Sequence, residues 1–293
     1  MIDLSPPPLV FVKPPALLRS IGDSPNALQL ELSRSGLPRS VRRQIIKELQ
    51  RLARSSRDPA LAPFLAMPFQ PGFRHKAGGG PITTTFVSTQ VDAATTKSVF
   101  TFSAVSFGAS ANTDRVVVVG FGFRDNATSR TLSSATIDGA AATIGVQQSK
   151  VTGGLALTGF IARVQGTDAT GDIVLTFSGV VNRGGGIYVY SCENMQNITA
   201  TDADNTDTSD PYVGSIDVQA GGVAFASGFS GQGGTNTLTG SGFTADVDNV
   251  DIPQAGTKGS CGHGDYASTQ TGLAITYDAS SNSDSGACFV AYR

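Results

Sequence analysis

Three groups of side chains in this 293-residue chain have types and spacings that could do chemistry. Asp202, Asp204 and Asp207 form one acidic run, and Asp246, Asp248 and Asp251 form a second with the same spacing. Closely spaced carboxylates can hold Ca²⁺, which takes six to eight oxygens at roughly 2.3–2.6 Å. Neither run has the glycine and closing glutamate of an EF-hand loop. The plainer reading is an acidic, solvated loop, with Ca²⁺ binding as the alternative. In the third group, Cys261, His263 and Asp265 alternate and would share one face of a strand. They could be zinc ligands or a Cys–His pair. Zinc wants about four ligands, and no second Cys/His cluster is present. A nucleophilic cysteine needs a positioned base and an oxyanion hole, and the chain has only two histidines, His75 and His263. No catalytic residue is assigned, the chain is read as non-enzymatic, and no cofactor is expected beyond the Ca²⁺ alternative.

The elements that would carry these groups are strands. From residue 81 onward the chain is rich in Gly, Thr, Ser and Asn. Strand-like runs follow one another at Thr84–Val91, Ser98–Phe107, Arg115–Phe123, Ser134–Ile137, Ala142–Val146, Leu155–Val164 and Asp172–Ser178. They continue at Gly186–Cys192, Tyr212–Val218, Gly222–Phe229, Gly272–Asp278 and Ala287–Tyr292. Turn signals such as Asp138-Gly139 and Gly153-Gly154 separate them, and no helical pattern intervenes. This predicts a mainly β body, 81–293, built as an antiparallel sandwich or jelly roll, with a sub-boundary near 193–211. Val116 to Val119 is apolar on both faces and belongs in a central strand, whereas Leu175/Phe177 and Ile187/Val189 alternate with smaller or polar neighbours. Segments 200–212 and 230–262 read as loops. Gly120-Phe-Gly122 and Gly231-Gln-Gly-Gly234 match no phosphate-cradling motif, because no helix follows them.

A seam at Ala77-Gly78-Gly79-Gly80-Pro81 divides this body from a different kind of chain. Residues 1–80 carry 12 basic and 5 acidic side chains, a net +7, and residues 81–293 carry 9 and 18, a net −9. The first part is read as an anchoring segment. Pro6, Pro7, Pro8, Pro14 and Pro15 keep its start extended. A short helix is predicted over 25–35. A clearer amphipathic one opens at Pro38, with Val41, Ile45, Leu49 and Leu52 on one face and Arg42, Arg43, Lys47, Arg51 and Arg54 on the rest. Phe64, Phe69 and Phe73, spaced by prolines, read as an arm that lays aromatic anchors into another surface. These apolar residues are the partner-docking candidates. A basic helix without a DNA-binding motif does not make a nucleic-acid protein. No apolar run reaches the roughly 20 residues that span a bilayer, and Met1–Pro8 lacks the pattern of a signal peptide.

The order Arg115–Phe123, Ser134–Gly139, Ala141–Val146, Gly159–Arg163, Gly171–Ser178 and Gly186–Ser191 resembles a β-sandwich module of tailed-bacteriophage structural proteins. The resemblance implies a virion part: a capsid decoration, a head or tail spike, a fibre or a tail component. It implies other virion proteins of the capsid, tail or portal region as partners, self-association as a homo-oligomer, and assembly in the bacterial cytoplasm. It brings no catalytic residues. The alternative is a module that binds a host receptor or surface carbohydrate through the loops at 200–212 and 230–262.

Overall fold

Period-two alternation in a Thr- and Val-rich chain with frequent turn residues favours short antiparallel strands. The structure, a computed structural model, describes residues 80–293 except 94–95, 126–128, 150–154, 209, 232–233, 253–256 and 281–284. Over these residues the protein is all-β with antiparallel sheets, and no helix occurs among them. The docking candidates Val41, Ile45, Leu49, Leu52, Phe64, Phe69 and Phe73, and the two helices expected near them, lie outside the described residues.

The first half contains β1 (Thr83–Asp92), β2 (Lys97–Ser106), β3 (Val116–Asp125), β4 (Leu132–Ile137), β5 (Ala140–Ala141), β6 (Thr143–Ser149), β7 (Leu155–Val164), β8 (Thr170–Val181) and β9 (Gly185–Glu193). The second contains β10 (Asp202–Thr206), β11 (Tyr212–Val218), β12 (Gly222–Ser230), β13 (Asn236–Gly240), β14 (Thr244–Ile252), β15 (Thr257–Tyr266), β16 (Gln270–Ala279) and β17 (Ser285–Tyr292). β10, β13, β14 and β15 occupy the segments read from sequence as loops. Their sequences hide the strand pattern for physical reasons. β10 alternates aspartates at a sheet edge. β15 carries glycines where neighbours press in: a Cβ on Gly259 would lie 1.7 Å from the Tyr188 hydroxyl.

Strand order repeats. The first half pairs a five-stranded sheet, β1-β9-β3-β7-β6, with a four-stranded one, β2-β8-β4-β5. The second pairs β10-β17-β12-β15-β14 with β11-β16-β13. Taking β10–β13 as counterparts of β1–β4, and β14–β17 as counterparts of β6–β9, reproduces both orders, leaving only the two-residue β5 unmatched. Register agrees in part, although β14–β15 slips a second time between Val247 and Val250 where β6–β7 does not. The β6–β7 ladder slips between Ile144 and Val146, and the β14–β15 ladder slips between Ala245 and Val247, each two residues after a threonine (Thr143 opposite Ala162, Thr244 opposite His263). Leu132 faces Phe177 as Leu238 faces Tyr277.

Three buried clusters tie the four sheets into layers. Phe100, Phe121, Phe123, Phe177 and Val189 are among the residues filling the space between the two sheets of the first half. Tyr212, Ile216, Ile275, Tyr277 and Phe289 do the same in the second. Between the halves, the two five-stranded sheets face each other through Val116, Val118, Phe160, Tyr188, Tyr190, Phe225, Val290 and Tyr292. The central strands β3, β9, β12 and β17 are therefore buried on both sides. This is why Val116 to Val119 has no polar face. Each large apolar side chain so buried contributes about 1.5–3 kcal/mol.

Candidate functional site

The two acidic runs act as edge staples. In β10, Asp202 Oδ2 accepts the Asp217 N–H at 2.7 Å and Asp204 Oδ2 accepts the Ser215 N–H at 2.9 Å. These carboxylates thereby satisfy outward-facing donors of the neighbouring sheet's edge strand β11. Asp207 follows directly on β10. In β14, Asp248 accepts from the Ser260 hydroxyl and the Leu238 N–H, while burial pushes its carboxyl above the usual range. Its counterpart in the first half is Gln147, which accepts from Leu132 N at 2.7 Å and donates to Leu132 O at 3.2 Å. Asn249 completes the stitch to β13, accepting from Asn236 N at 2.5 Å and donating to Asn236 O at 3.1 Å. Asp251 pairs with Lys258 Nζ at 2.5 Å. Neighbouring carboxylates thus turn to separate partners. Among the described residues no group of three or more His, Cys, Asp or Glu side chains is placed to hold a metal ion.

Cys261, His263 and Asp265 do share one face of β15, the face toward the first half. Each does something different there. Cys261 is buried in the cluster between the halves, and burial pushes its thiol well up. A reactive cysteine needs the opposite shift. His263 Nδ1 lies 2.7 Å from Asp246 Oδ2, and its ring packs 5.7 Å from Tyr190 and 6.4 Å from Phe225. Asp265 accepts from Thr84 N at 3.1 Å and Thr84 Oγ1 at 2.8 Å, linking the second half to β1. Sequence spacing did not reveal Asp246 as the partner of His263. The β14–β15 register brings them together, and that register was invisible while both strands read as loop.

The feature that organises the surface is polarity. Strands alternate in direction, so the connections β1–β2, β3–β4, β6–β7 and β8–β9 lie at one end of the first half, and their counterparts lie at one end of the second. Contacts between the halves bring these two ends together. Arg124 Nη1, late in β3, donates to Thr257 Oγ1 at the start of β15 (3.4 Å), and Asn205 Nδ2 in β10 donates to Gln147 O in β6 (3.5 Å). At the other end, Ile82 N donates to Gly221 O at 2.9 Å. There Arg293 Nη1 donates to Gly221 O at 3.1 Å and Gly80 O at 3.4 Å, and Asn194 Nδ2 donates to Pro81 O at 3.2 Å. The first described residue and the last residue thus share the pole opposite the gathered connections. Their pole is heavily stapled. The buried Arg115 guanidinium donates to the carbonyls of Phe107, Gly108 and Asp168. Glu193 accepts from Ser110 Oγ at 2.6 Å and Asn112 Nδ2 at 2.5 Å.

Charge separates the halves as well. Residues 81–193 carry seven basic and seven acidic side chains, and residues 194–293 carry two and eleven. The whole net charge of the β part therefore belongs to the second half. Comparison with known proteins finds no matching family model, no matching curated protein and no matching solved structure.

Proposed function

We propose that the chain is a non-enzymatic structural component of a phage particle. Its N-terminal segment docks to the capsid or tail, and its β body stands on the surface as a spike or decoration, in several copies. The polarity of the body carries this reading. The chain comes in at a stapled pole, and the connections β1–β2, β3–β4, β6–β7 and β8–β9, with their second-half counterparts, lie at the far pole, where loops can carry binding residues. Each half reads as a β-sandwich in jelly-roll order. Its first strand pairs with its last, its last with its third, and its second with its next-to-last. Double-sheet jelly rolls occur in viral capsid and lectin domains, an analogy that supports a class and no chemistry. The sequence resemblance of residues 115–191 to phage virion modules points the same way. Deleting residues 1–76 is expected to leave a folded body that no longer incorporates into particles. Normal incorporation of the truncated chain refutes the reading.

The second reading is a receptor- or carbohydrate-binding module, favoured by the connections at the pole away from the chain's entry. Binding of the chain to a glycan array or to whole host cells, lost on changes at Asp207 or Asp210, supports it over a purely structural role.

A further inference from the structure

The two halves differ at the far end of their inner cores. In the first half this end is aromatic: Phe123 stands opposite Gly185, Phe121 opposite Ile187, and Phe177 opposite Leu132. At the corresponding positions of the second half stand Ser230 opposite Ser285, Gly228 opposite Ala287, and Tyr277 opposite Leu238. The first half closes over its phenylalanines with Arg130, whose Nε lies 2.8 Å from Asp125 Oδ2 and 3.0 Å from Val180 O. The second half places Asn236 there, one ladder step beyond Leu238 on the same face of β13 and diagonal to Tyr277.

Both polar side chains are left unsatisfied. Asn236 is fully buried, and neither its Oδ1 nor its Nδ2 has a hydrogen-bonding partner. The Tyr277 hydroxyl is fully buried and likewise has none. The Tyr277 ring lies over Gly228, next to Ser230 on the same face of β12, and Ser230 and Ser285 are both buried. Asp210, Asp248 and the Tyr188 hydroxyl lie within electrostatic reach of Tyr277. A buried amide or hydroxyl without a partner is strongly unfavourable, and native proteins leave few of them.

The occupant follows from donor and acceptor balance. Asn236 offers one free acceptor and one free donor group, and Tyr277 offers a hydroxyl that does either. A cation would meet Oδ1 and the carboxylates but would leave Nδ2 pointing at like charge. An apolar ligand would meet none of them. Water both donates and accepts, and buried waters typically make about three hydrogen bonds to such groups. We infer that the second half contains an internal hydration site, bounded by Asn236, Tyr277, Ser230 and Ser285, where ordered water bridges the Asn236 amide to the Tyr277 hydroxyl.

The test joins a crystal structure of the full chain, at a resolution that shows water, with thermal melts of Tyr277→Phe. This isosteric change removes only the hydroxyl. The expected result is density bridging Asn236 and Tyr277, and a Tm lowered by about 2–4 °C in the variant. An orphaned hydroxyl behaves oppositely, because its removal relieves a cost. An unchanged or raised Tm, or a dry site in the density, overturns the inference.

Discussion

Phe225→Ala tests whether the two halves are one cooperative body. Phe225 is fully buried at the centre of the contact between the facing sheets. Its ring lies 5.0 Å from Tyr190 and 5.8 Å from Phe160 in the first half, and 6.1 Å from Tyr292 in its own. Truncating a buried phenylalanine costs about 3–5 kcal/mol, through lost burial and the cavity left behind. In a protein of this size each kcal/mol moves Tm by about 2–4 °C, so the fall expected is roughly 6–20 °C. Because residues of both halves line the gap, the fall should appear in one transition that includes both. The chain has six tyrosines, all between residues 188 and 292, and no tryptophan. Near-ultraviolet circular dichroism therefore follows this body, and calorimetry supplies the enthalpy. A fall below about 2 °C refutes the burial argument. A split melt, with one half unfolding at its original midpoint, refutes the single body.

Asp248→Asn should raise the urea midpoint slightly at pH 7. Partial burial raises the Asp248 carboxyl, so its contribution is complete below the unfolded value of about 3.9 and is lost as pH rises through the higher folded one. The amide keeps the bond to Leu238, as Gln147 does to Leu132, and flattens that pH dependence. The effect should stay small because the residue stays largely open to solvent and only part of the carboxyl is buried. Gly122→Ala places a Cβ 2.3 Å from the Phe229 ring across the contact between the halves, and should cost about 1–3 kcal/mol in thermal melts. Gly139→Asn, at φ +71° with nothing within 4 Å, should change stability by less than about 0.5 kcal/mol. Cys192, Cys261 and Cys288 are buried, so mass spectrometry after brief alkylation should show no label on the native chain and three after unfolding.

Strands with strong alternation were legible in the sequence. Val116 to Val119 declared a doubly buried strand, and Leu155–Val164 and Tyr212–Val218 have the bounds their patterns indicate. The strands that escaped are those whose residues answer to neighbours. β10 spends its aspartates on another strand's backbone, β14 spends its own on a backbone N–H and on side chains of β15, and β15 gives up side chains where Tyr188 and Phe243 press against Gly259 and Gly262. The acidic runs were visible as composition, but their role depends on which edge lies opposite. The repeat was hidden for a similar reason. The halves agree in strand order and in the register of β3–β9 with β12–β17 while exchanging Phe121 for Gly228 and Phe123 for Ser230, so little identity remains to be read.

In a two-fold pair of identical chains, every substitution at the shared face is made twice, once on each side. A single chain holding both halves escapes that rule. His263 and Asp246 stand where the first half has Ala162 and Gly145, and Tyr190 faces them from a position occupied by Val290 in the second. Doubled by symmetry, the same substitutions would bring a second histidine and a second aspartate into the seam. Covalent fusion lets the seam carry one such pair, so the two sides can specialise without losing their fit.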